Sequence, residues 1–313
     1  MAFTIPKETY SGRVYQVTIG TGDKAVTFGG ENVLPFCGFE GSIPNKVAIA
    51  YEIQDTPPTD WPDEVRKPYE GVSDDPVKWA KFCVESLGAK IIALRLVGTH
   101  PDRENRSPED AAKTVKDVLS AVDVPLIILG SNHTEKDSQV LVACAEAAKD
   151  KNCVIGKAQE ANYKTIAAAA MANNHKLIAM SELDINLSKQ LNILITQMGF
   201  DKERLITDPM SSALGYGLEY TYSVMERIRL AALTQNDATM QQPMLADVGM
   251  YVWKVKETQA SEADLPLWGD LHKRAVLWEA MTAASFMVAG AEILIMRHPE
   301  AIKATEKLIE ELS

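Results

Sequence analysis

The 313-residue chain carries 32 Lys and Arg against 43 Asp and Glu, a formal charge of −11. That balance opposes nucleic acid or an anionic membrane as partner, because both need a basic face. With 46% hydrophobic and 24% charged residues the chain can bury a large core under a solvated surface, and no run is apolar over the roughly 18 residues a bilayer span needs. The N-terminal Met-Ala-Phe-Thr-Ile-Pro-Lys-Glu has no signal-peptide core, so a cytoplasmic location is expected.

Residues 12–20 and 24–29 are short alternating runs rich in Val, Thr, Tyr and Phe, joined by Thr21-Gly22-Asp23. They predict a β-hairpin in an N-terminal extension, residues 1–45, lying across the N-terminal mouth of the following domain or against a partner. From residue 46 onward eight short apolar runs recur, at 46–53, 90–97, 125–130, 153–157, 176–180, 204–207, 243–246 and 291–296. Each is followed by a longer amphipathic stretch. Strands alternating with helices indicate parallel βαβ units, and eight of them predict a closed (β/α)8 TIM barrel over residues 46–313, an α/β fold. Helix starts are marked by Asp75-Pro76, Ser107-Pro108-Glu109-Asp110, the Thr134 segment and Asp184. The segment 251–270 has poor periodicity and two tryptophans, Trp253 and Trp268, which are candidate partner anchors if exposed. The four cysteines, Cys37, Cys83, Cys144 and Cys153, form no C-x-x-C pair and are expected to be buried reduced thiols.

In such a barrel the chemistry sits in the loops after the strands. The richest of these is 208–217, Asp-Pro-Met-Ser-Ser-Ala-Leu-Gly-Tyr-Gly, where small residues let backbone N–H groups approach a ligand and Ser211 and Ser212 offer hydroxyls. An irregular strand-to-helix turn braced by Asp208 explains it equally well. Ser131-Asn132-His133 follows the third strand; His133 could bind a metal or act as an acid–base group, but no second histidine or H-x-x-x-H spacing supports a metal site, and the cluster could simply cap the next helix. Gln159-Glu160 with Asn162, and Glu182 with Asp184, bring acids and amides to the next two strand ends, with helix capping again the alternative. Arg297, leaving the eighth strand, could bind an anionic group or pair with Glu292 or Glu300. A phosphate-binding G-x-x-x-x-G-K-[ST] loop, a dinucleotide G-x-G-x-x-G, a G-x-S-x-G elbow and the D-x-H-x-x-G pattern of many cobalamin domains are all absent.

The stretch 208–233, together with 162–170, 184–194 and 289–300, closely resembles the small (delta) subunit of the corrinoid iron–sulfur protein, the partner of CO dehydrogenase/acetyl-CoA synthase. The resemblance covers most of the chain from about residue 45. It implies a barrel related to pterin-binding methyltransferases, in a heterodimer whose large subunit holds the iron–sulfur cluster and most of the cobalamin (corrinoid) site. That complex carries a methyl group on cobalt from methyltetrahydrofolate and its methyltransferase to acetyl-CoA synthase, in the anaerobic carbon-fixing acetyl-CoA pathway. A reductive activator is a further transient partner. The resemblance thus implies a non-catalytic subunit with no metal ligands of its own. From strand-end position, the residues expected to face the corrinoid are Asn132, His133, Gln159, Asn162, Asp184, Asp208, Ser211, Ser212, Gly215, Tyr216 and Arg297. An autonomous pterin-dependent methyltransferase and a purely structural subunit are the competing classes.

Overall fold

The structure, a computed structural model, describes residues 3–312. Two strands, β1 (Gln16–Ile19) and β2 (Val26–Gly29), pair antiparallel as the hairpin. Eight more follow: β3 (Ala48–Gln54), β4 (Ile92–Arg95), β5 (Leu126–Leu129), β6 (Val154–Ala158), β7 (Lys176–Met180), β8 (Leu205–Asp208), β9 (Met244–Asp247) and β10 (Ala291–Met296). These eight are parallel and close into a barrel, β10 pairing with both β3 and β9. The helices are α1 (Asp63–Arg66), α2 (Pro76–Glu85), α3 (Pro108–Ala121), α4 (Thr134–Ala147), α5 (Tyr163–Ala172), α6 (Ile185–Gln197), α7 (Leu218–Leu233), α8 (Val248–Val252), α9 (Leu271–Ala289) and α10 (Pro299–Leu312).

Strand side chains alternate between faces, so each strand divides its residues between two cores. One parity packs outward under the helices: Tyr51, Ile53, Ile92, Leu94, Ile128, Leu205 and Leu294 join the buried helix faces. The other fills the lumen, with Ala48, Ala50, Ile91, Ala93, Ile127, Leu129, Ile178, Ile206, Leu245, Ile293 and Ile295 in a separate apolar cluster. Val17, Ile19 and Phe28 of the hairpin belong to this inner cluster, and the hairpin crosses the N-terminal mouth as expected. Asn152, just before β6, fastens it there by donating to the Thr18 and Gly20 carbonyls at 3.0 and 2.9 Å.

Helix starts follow the sequence signals closely. Asp75 accepts from the N–H groups of Val77 and Lys78, and Ser107 forms a reciprocal capping box with Asp110. One cap moves by a residue: Thr134 is already helical, and the His133 ring caps α4 by accepting from Lys136 N–H at 3.3 Å. Cys83, Cys144 and Cys153 are buried, and burial pushes the Cys153 thiol up to about 12. Trp253 corrects an expectation. It is 1% exposed, packed in the barrel's outer core, and offers nothing to a partner, whereas Trp268 is 39% and Leu267 100% exposed.

Candidate functional site

The lumen changes character toward the C-terminal ends of the strands. Continuing the inward parity beyond Ala48 and Ala50 gives Glu52; beyond Ile91 and Ala93, Arg95; beyond Ile206, Asp208; beyond Leu245, Asp247; beyond Ile293 and Ile295, Arg297. Pairing between β6 and β7 slips between Ile155 and Ala158, and Lys157 enters the same layer. These six charges form a continuous chain of contacts. Arg297 Nη2 donates to Glu52 Oε1 at 2.8 Å, and Arg95 Nε donates to that same atom at 2.8 Å. Arg95 Nη2 donates to Asp247 Oδ2 at 2.8 Å, and Lys157 Nζ bridges Asp247 Oδ2 at 2.7 Å and Asp208 Oδ2 at 2.8 Å. All six side chains are buried.

Three cations balance three anions, so the layer is neutral as a whole, which is how a buried charged cluster avoids an unpaired ion. The electrostatics differ along it. Burial alone would raise Asp247, but Arg95 and Lys157 outweigh it and hold its carboxyl below the ordinary range. Glu52 is likewise held down, burial being overcome by Arg297 and Arg95. Asp208 has only Lys157 as a close cation, and there burial wins and raises its pKa. Some hydrogen-bonding capacity is unspent: Arg95 Nη1, Asp247 Oδ1 and Gln54 Oε1 are buried without a partner.

Above this layer opens a cavity of about 410 Å³, lined among others by Gln54, Trp61, His100, Asn132, Lys254 and Arg297. The Arg297 guanidinium lies 4.4 Å from the Trp61 ring centroid, a cation–π contact that fixes its orientation. Beneath, Glu279 of α9 accepts from the backbone N–H groups of Arg297 and His298 at 2.7 and 3.0 Å. Burial pushes Glu279 up to about 7 despite those bonds. A second cavity of about 580 Å³ lies beside the ends of β6 and β7, lined by Gln159, Glu160, Ser181, Glu182, Leu187 and Leu194 among others.

The expected site residues divide into three groups. Asp208, Ser211 and Arg297 belong to the mouth layer or its support; Ser211 Oγ accepts the Asp247 backbone N–H at 2.8 Å. Arg297 pairs with Glu52 rather than with Glu292 or Glu300, because the inward parity of β10 carries it across the lumen. Glu292 instead pairs with Arg229. A second group holds the loops. Asp184 accepts from Asn186 N–H at 2.6 Å, His133 caps α4, buried Asn162 accepts from Gln159 N–H at 2.8 Å, and Ser212 Oγ lies 3.0 Å from Thr221 Oγ1. The third group faces outward: Asn132, Gly215 and Tyr216 are exposed and Gln159 is half-buried. Gly215 has φ +79°, a left-handed conformation that a side chain would strain. Glu52, Arg95, Lys157 and Glu279 were not anticipated. For Glu52 and Arg95 the signal was present, a charge at the inward parity of an apolar strand, and for Glu279 a lone acid on the buried face of a helix; Lys157 stands on the outward parity of β6 and enters the layer only through the slip in pairing.

The family described as CO dehydrogenase/acetyl-CoA synthase delta subunit matches residues 16–309. The chain belongs to this family. Among its relatives, the acetyl-CoA decarbonylase/synthase complex subunit delta of Methanothermobacter thermautotrophicus is 35% identical over 310 residues, 98% of this chain and 78% of that protein. The namesake from Methanocaldococcus jannaschii is 35% identical over 97% of this chain and 75% of its own, and that from Archaeoglobus fulgidus 33% over 98% and 70%. Among solved structures, dihydropteroate synthases of Xanthomonas albilineans and Thermus thermophilus superpose with TM-scores of 0.56 at 14% identity. The first covers 88% of this chain and 96% of its own; the second, 95% and 100%. At that identity they share the fold of this delta-family barrel and nothing more. Among the described residues no helix is long and apolar enough to cross a membrane.

Proposed function

We propose that this chain is the small subunit of a heterodimeric corrinoid iron–sulfur protein, a methyl carrier of the acetyl-CoA pathway. The family match across residues 16–309 carries this reading. Its partner is a large subunit that holds the iron–sulfur cluster and most of the corrinoid, with the methyltetrahydrofolate methyltransferase, acetyl-CoA synthase and a reductive activator as transient partners. When bound, the corrinoid supplies the cobalt that carries the methyl group. The exposed rim suits it: Asn132, Gln159 and Tyr216 are neutral hydrogen-bonding groups, matched to the amides around a corrinoid edge. Ser212, Asn162, His133 and Asp184 hold those loops in place, Gly215 provides the turn beside Tyr216, and Asp208, Ser211 and Arg297 form the rigid floor beneath. A floor whose three positive and three negative charges cancel adds little net charge beneath the macrocycle.

The large subunit's landing surface in this reading is the apolar patch of Leu267, Trp268, Leu277 and Met281, which borders a cavity of about 590 Å³ on the outer face of α9. Co-expression with a large subunit that bears an iron–sulfur cluster and a corrinoid is the decisive experiment. A red-brown 1:1 complex whose cobalt spectrum changes in Asn132→Ala or Ser212→Ala supports both partner and rim. A stable large subunit with full corrinoid protection and no affinity for this chain overturns the reading. Methyl transfer by this chain alone, from free methyltetrahydrofolate to free cobalamin, would instead make it an autonomous methyltransferase.

A further inference from the structure

Outside the mouth, three loops converge on one cluster of metal-ligand types. Glu64 comes from α1, after β3; His272 from the first turn of α9; His298 from the turn between β10 and α10, and Glu300 from the first turn of α10. Ligand atoms of His272, His298 and Glu300 all lie within 4.8 Å of one another. His272 Nε2 is 3.2 Å from Glu300 Oε1, about the 3.3 Å that separates two ligands bound tetrahedrally to zinc at 2.0–2.1 Å. On the other side of the ring, His272 Nδ1 donates to Glu64 Oε2 at 2.9 Å. A carboxylate holding the far nitrogen of a histidine is the usual outer support of a metal ligand, because it fixes both tautomer and ring orientation.

A second observation is independent of that arrangement. His298 is fully buried, and its Nε2 makes no close hydrogen bond, facing the Glu64 backbone at longer range. Its ring is held by stacking on Trp253, with centroids 5.7 Å apart and planes at 29°, and its centroid is 5.4 Å from that of His272. Nδ1 accepts the Glu300 backbone N–H at a long 3.2 Å, which leaves the ring proton on Nε2. Ligation at Nε2 would move that proton to Nδ1, so the ring would turn away from the Glu300 N–H, which in the first turn of α10 is then left to water.

We propose that His272, His298 and Glu300 bind one divalent transition metal, with Glu64 as the supporting carboxylate. Two imidazoles and a carboxylate suit zinc or cobalt(II) rather than calcium or magnesium, which take all-oxygen sites. The ion ties the α1 segment, the start of α9 and the β10–α10 turn together at the edge of the mouth.

Cobalt(II) titration of the purified, EDTA-treated full-length chain tests this, since tetrahedral cobalt absorbs in the visible and zinc displaces it. The expected result is one equivalent bound, with affinity falling at least tenfold in His272→Gln and Glu300→Gln and by roughly 10–100-fold in Glu64→Gln. His272 is half-buried and Glu300 exposed, so these variants keep the test valid where a His298 substitution fails to fold. His100→Gln, in the separate His100–His133 pair 5.5 Å apart, should bind as the parent does. Absence of a visible band up to about 1 mM cobalt, or equal binding by the parent and His272→Gln, overturns the proposal.

Discussion

The two ends of the barrel are closed by opposite means. At the N-terminal end Val17, Ile19 and Phe28 plug the lumen with hydrocarbon, each worth about 1.5–3 kcal/mol on burial. At the other end six charged groups fill the same cross-section. Such a layer contributes little net stability, because desolvation offsets its Coulombic gain, yet removing one member leaves its partners buried and uncompensated. The hydrophobic end therefore tolerates graded change, while the charged end is a single unit that holds or fails together. A rigid polar floor beneath the loops is what an enclosing rim needs, and the hairpin makes the other end a structural lid.

Substitutions can break this contrast. The largest effect is expected for Asp247→Ala, which strands Arg95 and Lys157: a loss of about 3–5 kcal/mol in urea unfolding, with the Arg95→Ala, Asp247→Ala double variant losing less than the two single losses added together. Phe28→Ala should cost about 3–5 kcal/mol by cavity formation, but additively with substitutions at the mouth, since the two ends share no contacts. Ile19→Val, at the same plug, should cost only about 0.5–1.5 kcal/mol.

Acid sharpens the comparison further. The native pKa of Asp247 lies below its unfolded value, so the unfolded chain binds more protons as pH falls through that window. The stabilisation is fully present above the unfolded value near 3.8 and is lost as pH falls toward the native one. Amide exchange around β9, relative to its intrinsic rate, should accelerate as pH falls below about 3.8, before that of β1 and β2, whose buried residues include no such ion pair. Simultaneous loss of protection at both ends would show that the mouth is not a separate electrostatic unit. The smallest stability effect is expected for Trp268→Ala, within about 0.5 kcal/mol for an exposed site, with weakened binding of the proposed large subunit as its main consequence. Gly215 is a poorer probe of the rim than Asn132 or Ser212, because its φ of +79° makes any β-branched replacement disturb the loop itself.

The sequence by itself determined the eight strands, their order and the face that bears the loops. An apolar run bounded by turn residues is a local signal, and the connection rules of βαβ units leave few ways to assemble eight of them. It also determined the family, since the stretches 162–170, 184–194, 208–233 and 289–300 are specific enough to read directly. Tertiary structure alone decided which partner each charge takes. Arg297 lies five residues from Glu292 and three from Glu300, yet it pairs with Glu52, 245 residues away in sequence, because closing the barrel brings β10 beside β3. Trp253 and Trp268 show the same limit, as neighbours in one aperiodic segment of which the first is buried and the second exposed. Composition and spacing act along the chain, whereas burial and ion pairing depend on which faces the closed barrel turns inward.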